Sequence, residues 1–256
     1  MILSSIRRCD KHRDRRRLTE RGTPSLKKLL SIVLAITLAL LLLTNAAAAR
    51  TAQIPAEVIY EQNADAVFML ETFNEFGRSI RTASGFFISE DGLAVTCLHV
   101  FEDAESATVT LSNGDSYEIL GINAKSEEFN IAIFSLDADK TGWNFLSLAD
   151  SDLIEPGNTV YVIGSPFGYV NTMSAGIISC KEREVAGEKL IQFTAPISFG
   201  SGGSPLLDAR GRVIGINSIS FSYGQNLNLA VKINHVRSMQ PGECVPLPVQ
   251  TSDQDD

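Results

Sequence analysis

From Val58 to Met239 the chain breaks into short apolar runs, each closed by a turn signal, and this pattern limits the fold more than any other feature. Strands are expected at Ala66–Phe73, Gly85–Ser89, Leu93–Leu98, Ala107–Leu111, Tyr117–Leu120 and Ile131–Leu136. A second set follows at Thr159–Ile163, Thr172–Cys180, Leu190–Thr194, Pro205–Leu207, Val213–Ser218 and Leu227–Val231. Ser112-Asn113-Gly114-Asp115 is a strong hairpin signal, because glycine and asparagine accept the positive φ such turns require. Thr141 to Gly157 reads as a connection between halves, and Asn234–Met239 as a short closing helix. Many evenly spaced short strands predict an all-β barrel or sandwich.

The 256 residues suffice for one large domain or two small ones, and the charge is uneven. Residues 1–49 carry ten Lys/Arg against three acids. Their +7 leaves −15 for the remainder of a chain whose total is −8. An acidic body is a poor nucleic-acid binder, since that affinity rests on neutralising phosphates. The basic head, residues 1–28, precedes an apolar stretch over residues 29–49, long enough to span a bilayer. Basic residues on its N-terminal side predict a cytoplasmic head and an exported body. The stretch reads as an uncleaved single-pass anchor, or as a signal peptide cut after Ala49. In either case the body is extracytoplasmic. Residues 50–57 read as a linker, and 241–256, with its Ser-Asp-Gln-Asp-Asp end, as a disordered acidic tail.

Cys97, Cys180 and Cys244 lie beyond the head; an odd number implies no complete disulfide framework, and Cys97 and Cys180 read as buried small hydrophobes. No HExxH, zinc-spaced His/Cys cluster, P-loop or Rossmann glycine pattern occurs, so no metal or cofactor is expected. A Cys97–His99 dyad is disfavoured, because alternate residues of a strand lie about 7 Å apart.

Ser84-Gly85-Phe86-Phe87-Ile88-Ser89-Glu90-Asp91-Gly92, followed by Thr96-Cys97-Leu98-His99-Val100, resembles the first-barrel signature of HtrA/Deg proteases. Downstream, Gly164-Ser165-Pro166-Phe167-Gly168, Ser174–Ser179 and Gly211–Asn217 resemble further motifs of that family in order and spacing, over roughly residues 57–239. The resemblance implies a trypsin-like double antiparallel β-barrel, two six-stranded barrels at about 58–140 and 155–236, preceded here by the transmembrane or signal helix. It implies an active site in the cleft between barrels, and family members often assemble as trimers through N-terminal segments. The PDZ domain that often follows in the family is not expected here.

By this resemblance His99 holds the position of the catalytic base. The carboxylate position is changed: where the family reads Asp-[Ile/Leu]-Ala, this chain reads Asn130-Ile131-Ala132. An amide can hold an imidazole but cannot stabilise the imidazolium, and it can favour the wrong tautomer. Glu128, two residues earlier, is a remote substitute. The nucleophile position is changed too. Aligning Gly200 and Pro205 on the family's G-x-S-G-[GS]-P puts Gly202 at the serine. A rival register keeps Ser201 as nucleophile, at the cost of a loop one residue shorter before it and one longer after it. The backbone donors of an oxyanion hole, from Gly200 and Gly202, need no side chain. Pro196, six residues before Gly202, and Asn228-Leu229-Ala230 are expected to flank a pocket for a small or medium apolar side chain.

Three readings stand on the sequence. The first is a catalytically impaired pseudoprotease, exported and membrane-anchored, that holds a peptide or unfolded protein segment in the cleft. The second is an active serine endopeptidase using Ser201 and His99. The third is an assembly role that leaves the cleft unused.

Overall fold

The computed structural model describes residues 54–138, 140–218 and 226–248, with helical Leu30, Ser31, Leu34, Ala35 and Thr37 upstream. The chain divides into a unit over residues 1–52 and a second over residues 53–256. No helix among the described residues is long and apolar enough to cross a membrane. Most of the apolar stretch at 29–49 and all of the basic head lie outside the described residues.

The second unit opens with α1 (Ala56–Asn63), in a region read from sequence partly as linker. Its entry is set by Pro55, whose carbonyl accepts from Val58 and Ile59 N–H, and its one buried side chain is Ile59. With one buried residue in eight, the helix presents no core-facing period to detect. There follow β1 (Val67–Phe73), β2 (Ser79–Phe87), β3 (Ala94–Cys97), β4 (Ser106–Thr110), β5 (Ser116–Ser126) and β6 (Ile131–Leu136). They close into a six-stranded barrel in the order β1-β2-β3-β6-β5-β4, with β4 returning antiparallel to β1 at Phe73–Ser106. The strands β7 (Thr159–Gly164), β8 (Thr172–Val185), β9 (Glu188–Phe193), β10 (Pro205–Asp208), β11 (Val213–Asn217) and β12 (Asn228–Lys232) form a second closed barrel, β10-β11-β12-β9-β8-β7. The short helix α2 (Asn234–Ser238) ends the array.

Closure removes free strand edges and leaves each barrel an interior to fill with side chains. The first interior is aromatic: Phe68 lies against Phe87 (4.8 Å between centroids, tilted) and Phe134 (6.1 Å, edge-on), and Phe134 meets Phe101 at 5.6 Å. Such tilted and edge-on pairs add about 0.5–1.5 kcal/mol each beyond area burial. The second interior is smaller and aliphatic, around Val160, Val162, Ile178, Ile191, Leu206 and Ile214, with Phe193 its one large ring. The Asn113-Gly114 hairpin forms as its chemistry demands, with Gly114 at φ +88° and Leu111 N–H donating to Asp115 O.

Four stretches differ from the sequence expectation. β2 begins at Ser79 rather than Gly85, and β5 and β8 run on to Ser126 and Val185. The β8 extension, Lys181–Val185, is a polar arm held by backbone pairing with mostly solvent-facing side chains, so it carries no apolar alternation, whereas the added residues of β2 and β5 include buried Ala83, Ser84 and Ile122. The β8–β9 arm turns on Ala186 and Gly187, both at positive φ. Finally, residues 241–248, expected to belong to a disordered tail, lie along β5. Ile122 and Val245 exchange both backbone hydrogen bonds (2.8 and 2.9 Å), and Gly242 N–H reaches Asn123 O. Gly121 makes this approach feasible, because a Cβ there would strike the Val245 carbonyl.

Candidate active site

β3 ends at Cys97, and a single helical turn, Leu98–Phe101, carries His99. Facing it is the β5–β6 turn, which delivers Asn130. That residue sits at φ +52°, a left-handed conformation that asparagine tolerates better than most side chains. Its backbone is fixed on both sides: Asn130 N–H donates to Glu127 O, and its carbonyl accepts from Leu98 N–H. Its side chain spans His99. Oδ1 accepts from His99 N–H at 2.8 Å, and Nδ2 lies 2.8 Å from His99 Nδ1.

The first contact determines the chemistry of the second. A backbone N–H only donates, so the amide oxygen must face it and the NH₂ group must face the ring. Asn130 therefore donates to Nδ1, and neutral His99 carries its proton on Nε2. A general base for acyl transfer needs the opposite tautomer, with the lone pair on Nε2.

The glycine-rich loop, Phe199 to Ser204, is held by residues of both barrels. Ser84 on β2 is the central one. Its N–H donates to Gly202 O (2.8 Å), its Oγ donates to Gly200 O (2.7 Å) and accepts from Ser165 N–H (2.8 Å), and its own carbonyl accepts from Thr96 Oγ1 (2.8 Å). From β11, Asn217 O accepts from Gly203 N–H (2.8 Å), and Asn217 Nδ2 donates to Ser201 O (3.2 Å). Gly200 and Gly203 take φ of +90° and +81°. These contacts hold the loop beside the end of β3, where His99 emerges. Neither Ser84 nor Asn217 was singled out by sequence reasoning, although each belongs to a motif that had been recognised.

Ser201 is buried. Its Oγ accepts a long hydrogen bond from Ser198 N–H (3.4 Å), its N–H donates to Ser198 O, and its carbonyl receives Ser204 Oγ (2.7 Å). No hydrogen bond joins Ser201 to His99 among the described residues. The N–H groups of Gly200 and Gly202 have no acceptor among the described residues, whereas those of Ser201, Gly203 and Ser204 are all engaged. Pro196 is exposed; Asn228 Nδ2 is committed to Ala195 O (2.7 Å), and Leu229 and Ala230 are wholly buried in the two cores. Their side chains thus pack inward, so of the four expected pocket residues only Pro196 presents its side chain freely.

Cys97 is a core residue. Burial pushes its thiol up to about 12, and Sγ contacts Asn217 O at 3.5 Å, so no thiolate is available for a dyad with His99. Cys180 and Cys244 are free thiols. No metal-binding group of His, Cys, Asp or Glu occurs among the described residues.

Glu128 sits in a different recess, of about 330 Å³, with Phe129, Glu188, Lys189, Lys232 and His235. There His235 stacks on Phe129 (3.6 Å, 19°). Burial, then the nearby Lys232, lowers its pKa below 6.5, against the opposing pull of Glu128 and Asp152. A group depressed in the folded state binds its proton more readily when unfolded. Its contribution to stability is therefore full above pH 6.5 and is lost as the pH falls through the folded value. His235→Phe keeps an aromatic stack and removes the proton. The wild-type Tm minus the variant Tm is expected to decrease as the pH drops from about 7 to about 5; a constant difference would show that His235 does not titrate with folding.

A second expected result concerns Ser84. Ser84→Ala would leave the Gly200 carbonyl and the Ser165 N–H without a partner in a buried setting. The cost is about 2–4 kcal/mol, readable in urea denaturation, since each orphaned group costs roughly 1–3 kcal/mol.

Comparison with known proteins agrees with this architecture. The trypsin-like peptidase domain matches residues 83–216. A probable periplasmic serine endoprotease, DegP-like, of Chlamydia trachomatis is 40 % identical over 141 residues, covering 53 % of this chain and 27 % of the relative. The serine protease HTRA1B of Danio rerio is 35 % identical over 192 residues, covering 70 % of this chain and 39 % of the relative. Among solved structures, the HtrA-type protease AlgW with a tripeptide superposes with a TM-score of 0.65 at 29 % identity, covering 72 % of this chain and 62 % of that one. The chain thus spans well under half the length of these curated relatives. The double barrel, the ordered motifs and these matches together establish that the chain belongs to the trypsin-like peptidase family and carries an HtrA-type protease domain.

Proposed function

We propose that this chain is a catalytically impaired HtrA-type protease homologue that binds a peptide or an unfolded protein segment in the cleft between its barrels without cutting it. The observation that carries the reading is the Asn130 amide. With Oδ1 held by His99 N–H, it donates to Nδ1 and keeps the imidazole in the tautomer that cannot take a proton from a nucleophile. Gly202 at the serine position, and a buried Ser201 engaged with Ser198, support the same conclusion. Main-chain recognition of an extended peptide uses backbone groups and outlasts the loss of catalytic side chains. We further propose an extracytoplasmic body on a membrane anchor. The basic head and apolar stretch support this, as do relatives described as periplasmic. Fold membership alone licenses no activity.

The reading is tested with reduced, unfolded casein. The protein is expected to retain casein on a column and to leave it uncut. Cleavage that disappears in His99→Ala would overturn the proposal.

A further inference from the structure

The features that disable acyl transfer leave an unusual set of groups behind. His99 Nε2 carries a hydrogen and has no partner among the described residues. The N–H groups of Gly200 and Gly202 likewise have no acceptor there. In an active protease one of these three positions is a lone pair, which accepts the serine proton and later returns it to the leaving amine. Here all three are donors. The loop bearing two of them is fastened beside the third through Ser84, Thr96 and Cys97: Gly202 O accepts from Ser84 N–H, and a Cβ on Gly203 would come within 3.2 Å of Cys97 N. With glycine at 202, no side-chain oxygen stands between the donors. A carbonyl oxygen of an uncut peptide can use the two backbone donors, but its amide nitrogen offers nothing to Nε2–H. A carboxylate offers two oxygens and can use all three, as a charge-assisted acceptor.

We propose that this cleft is a receptor for a peptide C-terminus: the terminal carboxylate bridges His99 Nε2–H and the Gly200 and Gly202 N–H groups. The aromatic rim gives the ligand its further character. Phe199, next to Gly200, is exposed, as is Phe167; their rings meet edge-on at 6.4 Å, and Phe167 N–H donates to Phe199 O at 2.8 Å. Exposed aromatic rings held by backbone pairing suit apolar side chains near the terminus. The ligand class is therefore a protein or peptide ending in apolar residues with a free carboxylate. This rests on the reading that the cleft binds peptide, and narrows it.

The test immobilises the full chain and presents N-acetylated hexapeptides randomised at their last four positions, once as free acids and once as C-terminal amides. Bound peptides are identified by mass spectrometry, and the best acid is re-measured against its own amide. The acid is expected to bind at least about tenfold more tightly, the worth of a charge-assisted hydrogen bond. His99→Phe is expected to erase most of that preference, so that acid and amide bind alike. Asn130→Asp, which moves the neutral ring's proton to Nδ1, should reduce the preference without removing the ring. Equal binding of acid and amide would overturn the carboxylate proposal and leave peptide binding standing. Failure of both libraries to bind a folded wild type would overturn peptide binding as well.

Discussion

Asn130→Asp combined with Gly202→Ser is expected to convert this domain into a hydrolase that reacts with fluorophosphonates and cuts unfolded protein. Each change alone is expected to do far less. The introduced carboxylate can accept from His99 N–H and from Nδ1–H at once, so the ring proton moves to Nδ1 and Nε2 gains the lone pair a base requires. The left-handed backbone at residue 130 suits aspartate as well as asparagine. The hydroxyl introduced at 202 stands on a loop already fastened by Ser84 and Asn217, beside two backbone donors suited to an oxyanion. Gly202→Ser alone keeps the wrong tautomer; in a chymotrypsin-type triad that exchange costs about 10⁴ in kcat. Asn130→Asp alone has a base but no nucleophile, and should be inactive. Groups that act as a unit contribute non-additively, so the four-protein cycle should show its gain almost wholly in the double variant. A double variant no faster than Gly202→Ser would mean that the amide is not what holds the site inactive.

Gly203→Ala is expected to destabilise the domain by more than about 3 kcal/mol, and to do so through backbone crowding rather than lost contacts. Two effects add there. At φ +81° any L side chain is strained, by about 1–2 kcal/mol. The new Cβ would also collide with Thr96 Oγ1 and the Ser84 carbonyl. Neither can retreat easily, because those two atoms are hydrogen-bonded to each other between β2 and β3. Gly114→Ala is the matched control: its φ is +88°, but nothing lies within 4 Å of the new Cβ. It should cost only the conformational part, about 1–2 kcal/mol. The difference between the two variants in urea denaturation measures how tightly the loop is wedged between the barrels. Equal losses would show that the wedge contributes nothing.

Most of the barrel architecture was legible because its interior strands obey hydrophobic patterning. Ile131–Leu136 and Thr159–Ile163 stand in the structure within a residue of where their apolar runs place them. Strands whose pairing is not accompanied by burial were not legible. The residues Lys181 to Glu184 pair in a solvent-facing arm, and no periodicity marks them. The lodging of Val245 against Ile122 depends on backbone hydrogen bonds and on the space above Gly121, neither of which a one-dimensional reading contains. At the site, motif order brought His99, Asn130 and the Gly200–Pro205 loop into one argument. What it could not supply was the direction of the Asn130 amide, because that depends on a backbone N–H across the turn. Asn228, Leu229 and Ala230 occupy the anticipated strand, and their side chains serve the cores and a buried amide bond, a detail of side-chain direction that position alone does not give.

The central claim is that the folded domain lacks a competent nucleophile–base pair. Fluorophosphonate labelling of the full chain, read by intact mass, tests it most directly, with Ser201→Ala and His99→Ala run in parallel. The account predicts no adduct on folded wild type. An adduct that forms on wild type and is lost in both variants would contradict it, and would make Ser201 the nucleophile of an active hydrolase.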